Sequence, residues 1–227
     1  MPARSAELAD NPLLVEGGLP LFDRIDAAHV VPAVRQLLAE AAESLEKLEA
    51  EVEPTWSSVM DRLDEIDRPF ERGWGPVSHL FGVRNSDELR TAYDTVLPEL
   101  VQFNLRLSQS EPIYKALKGL RDGDEWRRLD ETQQRILTKK IQGAELAGIG
   151  LTGAARERFN AMAQELSTLS TEFSNHVLDA TKAFSLILTD PSEVEGLPPS
   201  ALQLAAQSYN QRKKADEPEA TPDQGPW

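Results

Sequence analysis

The sequence feature that most constrains the fold is a long stripe of apolar residues in the second half of the chain. The stripe residues step by 4, 3, 4, 3, 4, 4, 3 and 4 positions, the repeat of one face of an α-helix. They are Ala155, Phe159, Met162, Leu166, Leu169, Phe173, Val177, Ala180 and Phe184. This spacing predicts a helix of about eight turns. A similar stripe runs from Val30 to Val52 and ends before Pro54. We therefore predict a mainly α fold, an antiparallel array of long helices.

Shorter helices are predicted between these two stripes. Residues 55–66 predict one helix, and a further helix is expected to begin after Pro76. Residues 72–76 place two glycines and a proline around Trp74, so we expect a break in the helical structure there. Ser86, followed by two acidic residues, predicts the start of the next helix.

The pattern also predicts how the chain is divided. Residues 1–25 contain scattered Pro and Gly and are expected to form an extended N-terminal arm, while residues 26–182 form the helical domain. Residues 183–210 are expected to hold one strand and a short helix that lead toward a missing catalytic domain. Residues 211–227 are rich in charge and proline and predict a linker or disordered tail.

The predicted strand covers residues 183–189, AFSLILT, where apolar and other side chains alternate before Asp190-Pro191. A strand must pair its backbone groups. The neighbour is therefore expected to be a second chain, a downstream segment beyond the given residues or the N-terminal arm, and the sequence leaves these three open.

Composition excludes several classes of function. The 227 residues include 24 Lys and Arg against 38 Asp and Glu, which gives a formal net charge of −14. This negative charge is opposite in sign to the positive surface of a typical nucleic-acid-binding protein. There is no cysteine, so disulfides and thiol nucleophiles are excluded, as fits a reducing compartment. No signal-like apolar stretch begins the chain, and the best apolar run falls far short of the roughly 18 residues of a membrane span. We expect a cytoplasmic protein that binds neither nucleic acid nor membrane.

Catalytic and metal-binding motifs are missing from the sequence. His29, His79 and His176 are 50 and 97 residues apart, whereas the zinc-protease motif His-Glu-x-x-His needs two histidines four residues apart. Glu172 and His176 are interpreted as a surface pair on one helix. We predict no catalytic, cofactor-binding or metal-ligating residue in this chain, and a composite site of the three histidines is the disfavoured alternative.

One glycine-rich segment matches a known binding motif by letter. Residues 148–153 read G-I-G-L-T-G, the pattern G-x-G-x-x-G of dinucleotide-binding folds. That motif requires a strand before it, and here a helix precedes it. We interpret the segment as a helix–helix turn in which Thr152 is the N-cap of the next helix.

Several segments in collinear order resemble the N-terminal part of the thimet oligopeptidase family of zinc metallopeptidases. The resemblance covers nearly all 227 residues, although no single segment is a catalytic motif. In chain order, the segments are Asn11-Pro12-Leu13-Leu14, Gly18-Leu19-Pro20-Leu21-Phe22, Ile25, His29-Val30, Pro32-Ala33, Trp74-Gly75-Pro76-Val77-Ser78-His79-Leu80, Asn85-Ser86-Asp87-Glu88-Leu89-Arg90, Tyr93, Leu120-Arg121-Asp122-Gly123-Asp124, Glu145-Leu146-Ala147-Gly148-Ile149-Gly150-Leu151, Phe173-Ser174-Asn175 and Val177-Leu178-Asp179-Ala180-Thr181.

The resemblance implies one part of a peptidase that hydrolyses short peptides. Members of that family have two mostly helical halves around a channel for short unstructured peptides, and the zinc ligands and catalytic Glu lie in the C-terminal half. Gly225-Pro226-Trp227 resembles the point where the catalytic domain begins, so we expect this chain alone to be inactive. Its expected partners are the catalytic half, which carries the zinc, and short peptides. The alternative is a free-standing helical module that binds peptides or proteins without catalysis.

Overall fold

The structure is a computed structural model that describes residues 6–227, with side chains from residue 8 onward. Residues 1–5 of the predicted arm lie outside the described residues. The fold is mainly α, as predicted. Eight α-helices are described: α1 (Ala6–Ala9), α2 (Ala27–Glu51), α3 (Arg62–Val83), α4 (Asp87–Ser108), α5 (Glu111–Asp122), α6 (Glu131–Leu146), α7 (Gly153–Ala183) and α8 (Pro199–Arg212). A π-helical turn, Ser57–Asp61, and two 3₁₀ turns, Asp124–Arg128 and Pro191–Val194, complete the described helical segments.

The helix α2 begins at a cap that the sequence encodes locally. The backbone N–H of Asp26 donates to Nδ1 of His29 at 3.0 Å, so this histidine helps to fix the first turn. The side-chain amide of Asn11 donates to the carbonyl of His29 at 3.0 Å, and its own oxygen accepts from Leu13 N–H at 3.0 Å. Asn11 is buried, and through these bonds the arm is attached to the start of α2.

The predicted break at residues 72–76 is wrong, because α3 runs without interruption from Arg62 to Val83. Gly73 is buried, and a Cβ added there would lie 2.5 Å from Cδ1 of Leu37. The glycine thus allows α3 to approach α2 closely and does not form a turn. The ring of Trp74 packs at a tilt of 30° on that of Tyr93, with ring centroids 4.6 Å apart, which adds a contact to α4. Tertiary packing has overridden the local preference of this segment.

The helices α2, α3 and α4 alternate in direction. Arg35 pairs with Glu99, while Glu49 further along α2 pairs with Arg106 further along α4, so these two helices run parallel. α3 runs opposite to both, and two buried clusters fill the space around them. One cluster joins the end of α2 to α5 and α6, and the other joins the arm to the start of α2. α5 and α6 are antiparallel, since Tyr114 at the start of α5 donates to Glu145 at the end of α6 at 2.8 Å.

The chain forms two compact units, Met1–Ser170 and Thr171–Trp227, and the helix α7 contributes to each. In the second unit, the short strand predicted near residues 183–189 is not formed, because α7 continues to Ala183 and the following residues form no ladder. One residue of this segment, Leu188, exchanges two backbone hydrogen bonds with Trp227, at 2.8 and 2.9 Å. This single pair satisfies the backbone N–H and carbonyl of Leu188 but does not make a strand.

Residues 211–227, which the sequence predicts as a linker or disordered tail, carry defined contacts in the structure. Asn210 exchanges two hydrogen bonds with the backbone of Ala220, and Thr221 pairs with Gly225. The indole N–H of Trp227 donates to the carbonyl of Pro222 at 2.9 Å, and the ring is buried. Among the residues that the structure describes, no helix is both long and apolar enough to cross a membrane.

Candidate interaction surface on α7

The helix α7 begins after a link whose backbone the glycines make possible. Residues 147–152 join α6 to α7, and Gly148 has φ of +82°, a conformation that favours glycine. The N–H of Ile149 donates to the carbonyl of Ala144 at 3.1 Å, which satisfies one of the free carbonyls at the end of α6. The G-x-G-x-x-G letters therefore lie between two helices, without the preceding strand that a dinucleotide site needs.

Polar side chains hold the first part of α7 against the rest of its unit. Arg156 donates to the carbonyl of Gln109 at 3.2 Å, and the Gln109 amide donates to Asn160 at 2.8 Å and to the carbonyl of Ala147 at 2.9 Å. One turn further on, Gln164 donates to the carbonyl of Pro98 at 3.0 Å. Arg156, Asn160 and Gln164 recur every four residues, so one polar face of α7 makes these bonds.

The apolar stripe of α7 is exposed except at Phe159, which is half-buried, and no residue of this helix is fully buried. In the first unit, Met162, Leu166 and Leu169 are 49%, 65% and 53% exposed. In the second unit, Phe173 and Val177 are 70% and 50% exposed. We call the first three residues the proximal stripe and the last two the distal stripe. An amphipathic helix ordinarily turns its apolar face toward a core, so large side chains left in water mark an interaction surface.

The three histidines are not brought together as a site. His29 caps α2, His79 lies edge-on to Phe22 with ring centroids 5.6 Å apart, and His176 is exposed on α7 in the second unit. Glu172 is exposed on the same helix. Among the described residues, no group of three or more His, Asp or Glu side chains is placed to hold a metal ion.

Sequence reasoning found the stripe of α7 but not its exposure. A period of 3.6 residues shows that a helix has an apolar face, and the period is the same whether a core or a partner covers that face. The sequence signal that could have indicated this exposure is the second face of α7, where Arg156, Asn160 and Gln164 repeat at a spacing of four. A helix with hydrogen-bonding side chains on one face and apolar ones on the other is suited to two different contacts.

Comparison with known proteins defines the class of this helical domain. A family model described as the N-terminal domain of neurolysin and thimet oligopeptidase matches residues 34–156, more than half of the chain. The chain belongs to this family.

The similar relatives include oligopeptidases A from plants and bacteria. The chain is 46% identical to the organellar oligopeptidase A, chloroplastic/mitochondrial, of Arabidopsis thaliana, over 97% of this chain and 27% of the relative. It is also 46% identical to the probable cytosolic oligopeptidase A of that plant, over 97% of this chain and 31% of the relative. Oligopeptidase A of Escherichia coli (strain K12) is 41% identical over 86% of this chain and 29% of the relative. The chain thus spans less than a third of the length of these relatives.

Proposed function

We propose that this chain is the non-catalytic N-terminal helical region of a zinc-dependent oligopeptidase of the oligopeptidase A type. The observation that carries the proposal is the exposed apolar stripe of α7, taken with the small share of each relative that the chain spans. An exposed amphipathic helix needs a partner, and the remaining two thirds of such a polypeptide would supply one. In this proposal the proximal stripe docks the catalytic part of the enzyme.

The same proposal gives the domain a part in substrate selection. The helices would form one wall of a channel that admits short unstructured peptides and excludes folded chains. The zinc ion, its ligands and the general base would lie in the catalytic part, because the three histidines here are far apart in sequence, and His29 and His79 serve local contacts. Residues 26–182 would act as the wall, and residues 183–227 would connect it to the catalytic part.

The test is a chimera that joins this domain to the catalytic part of a relative. The segment of Escherichia coli oligopeptidase A that matches this chain is replaced by this chain, and hydrolysis of a quenched fluorescent short peptide is measured. We expect the chimera to hydrolyse the peptide and a chelator to stop it. The 227-residue chain by itself is expected to give no hydrolysis. A folded chimera without activity, or hydrolysis by the isolated chain, would contradict the proposal.

Matched variants of the chimera test the docking surface. Leu166→Glu places a charge in the proximal stripe, whereas Thr168→Glu places the same charge elsewhere on the exposed part of α7. Burying an unpaired carboxylate at an interface is costly, so Leu166→Glu should lower activity at least about tenfold while Thr168→Glu retains it. Equal activities of the two variants would show that the stripe is not the docking surface.

The alternative function is a free-standing helical module that binds peptides or proteins without catalysis. It predicts that the isolated chain is monodisperse, melts cooperatively and binds little of an apolar dye. Our proposal predicts strong dye binding that Leu166→Glu reduces. The cellular location is also a proposal: we favour the cytoplasm, in line with one plant relative named as cytosolic, while another is named as chloroplastic or mitochondrial.

A further inference from the structure

The second unit contains one backbone pair of the kind that builds an antiparallel sheet. The N–H of Leu188 donates to the carbonyl of Trp227 at 2.8 Å, and the N–H of Trp227 donates to the carbonyl of Leu188 at 2.9 Å. Two residues that exchange both bonds form a hydrogen-bonded pair of an antiparallel ladder. The next such pair joins the residue two positions earlier on one strand to the residue two positions later on the other.

This ladder can grow in one direction only. On one side of the pair, the next rung would join Asp190 to Gly225, but Gly225 already exchanges both backbone bonds with Thr221, at 2.9 and 3.2 Å. On the other side, the next rung would begin at Leu186, and neither backbone group of Leu186 has a hydrogen-bond partner among the described residues. The free edge therefore runs from Leu188 back toward α7.

The residues along this edge suit an added strand. Residues 184–188 follow α7 and belong to no helix or turn. The side chains of Phe184, Leu186 and Leu188 alternate with those of their neighbours, so in an extended segment they share one face. Phe184 and Leu186 are 71% and 66% exposed, so this apolar face is uncovered. The N–H of Phe184 donates to the carbonyl of Ala180 at 2.9 Å, and a ladder would therefore end at this residue.

We infer that residues 184–188 are a docking edge for the segment that follows Trp227 in the full-length polypeptide, which adds to them as an antiparallel strand. The inference rests on the proposed function, in which the chain continues into the catalytic part. In this register, the second residue after Trp227 pairs with Leu186 and the fourth lies opposite Phe184. Both added residues should be apolar, because their side chains lie on the face that Phe184 and Leu186 leave exposed.

Continuity of the chain favours this occupant over a second copy or a separate peptide. Trp227 is already in register, so the residues after it meet Leu186 at a high effective concentration. A strand from another molecule would have to begin beside Trp227 and would lose translational and rotational freedom on binding. An open edge with apolar side chains also promotes aggregation, and pairing within one polypeptide removes that hazard.

Amide hydrogen exchange tests the inference in the chimera with the catalytic part of Escherichia coli oligopeptidase A. Residue-resolved rates are compared between the chimera and the 227-residue chain. The N–H of Leu186 would point to the added strand, whereas the N–H of Ile187 would point away from it. We expect exchange at Leu186 to be at least about tenfold slower in the chimera, with Ile187 little changed. Unchanged exchange at Leu186, or equal slowing at both residues, would overturn the inference.

C-terminal extensions of the 227-residue chain test the edge without the catalytic part. The extension Thr-Val-Thr-Val-Thr places valines opposite Leu186 and Phe184, and Gly-Ser-Gly-Ser-Gly is the control of equal length with weak strand preference. The first should slow exchange at Leu186 at least about tenfold at any protein concentration, and the second should not. Equal exchange in the two extended chains would refute the edge. Slowing that grows with protein concentration would indicate a strand from a second copy and would also contradict the inference.

Proline substitutions in the valine-extended chain test the register. Ile187 and the first added residue would form a pair without mutual hydrogen bonds, with Cα atoms about 4.5 Å apart, so an NMR contact between their α protons is expected. Leu186→Pro removes an N–H that the added strand needs, whereas Ile187→Pro removes one on the other edge. The contact at residue 187 should be lost with the first substitution and retained with the second. Equal effects of the two would contradict the register.

These measurements separate the inference from the proposed function. A chimera that hydrolyses the peptide while Leu186 exchanges as fast as in the 227-residue chain would refute only the docking edge. A folded chimera without hydrolysis would refute the proposed function, and the extended chains would still decide whether the edge accepts a strand.

Discussion

At the scale of single residues, close approach of two helices decides what Gly73 does. An added Cβ there would meet Leu37 Cδ1 at 2.5 Å and the carbonyl oxygen of Leu13 at 3.0 Å. The leucine end can move, but the backbone oxygen belongs to the arm segment that Asn11 anchors. A glycine in this setting cannot be told from a turn glycine by sequence alone, which is why the helix α3 was predicted as two pieces.

Gly73→Ala is therefore expected to destabilise the chain by about 1–3 kcal/mol through overpacking. The control is Gly82→Ala in the same helix, where an added Cβ meets nothing within 4 Å. This second change should stabilise the chain by up to about 1 kcal/mol, because alanine is the better helix former. Urea unfolding followed by circular dichroism measures both. Equal effects of the two substitutions would contradict close packing at Gly73.

Tyr93 makes stability depend on alkaline pH. Burial raises the pKa of Tyr93 above its usual value, and the ring stacks on Phe81 with centroids 4.1 Å apart. The folded state then holds the phenolic proton more tightly than the unfolded state. Its contribution to stability is full below the unfolded pKa of about 10 and is lost as pH rises above it.

The measurement is the free energy of unfolding between pH 8 and pH 11 for the unmodified chain and Tyr93→Phe. We expect the unmodified chain to lose more stability than the variant over the upper part of that range. Tyr114, whose pKa the hydrogen bond to Glu145 also raises, is present in both proteins and cancels in the difference. Parallel curves would show that Tyr93 does not titrate differently on folding.

At the scale of elements, the sequence predicts the helices well where a long apolar stripe repeats with the helical period, and poorly where packing overrides local signals. Both α2 and α7 follow from their apolar period, and the cap at Asp26 lies close to the predicted start of α2. The predicted strand at residues 183–189 is absent because alternation there reflects exposed side chains in an extended segment. The apolar period predicts the stripe of α7, but it does not reveal that the stripe is exposed to solvent.

Substitution of an exposed and a buried leucine separates these two kinds of apolar face. Leu166→Glu in the proximal stripe should change the free energy of unfolding of the isolated chain by less than about 0.5 kcal/mol. Leu137→Ala on α6, where the side chain is 0% exposed, should cost about 2–5 kcal/mol. Thermal and urea unfolding of the two variants check this contrast. A cost for Leu166→Glu close to that for Leu137→Ala would mean that the stripe is buried in solution.

At the scale of the whole molecule, the two compact units depend on separate sets of contacts. The first unit contains both large apolar clusters, whereas the hydrogen bonds around Trp227 lie in the second. The Trp227 backbone pairs with Leu188, and its indole bonds to Pro222 and lies over Gly225. Trp227→Ala keeps the backbone pair but removes the buried ring that bonds to Pro222 and lies over Gly225. We expect amide hydrogen exchange to accelerate at least about tenfold at Leu188 and Gly225.

The same variant should leave exchange unchanged in the cores of α2 and α6, because Trp227 belongs to neither apolar cluster packed around those helices. Gln224→Ala serves as the control, since it changes an exposed neighbour without touching the indole. NMR measures the amide hydrogen-exchange rate of each residue, so one experiment covers both units. Acceleration that spreads evenly over α2 and α6 would mean that the units unfold together, and the division at Ser170 would then have no energetic meaning.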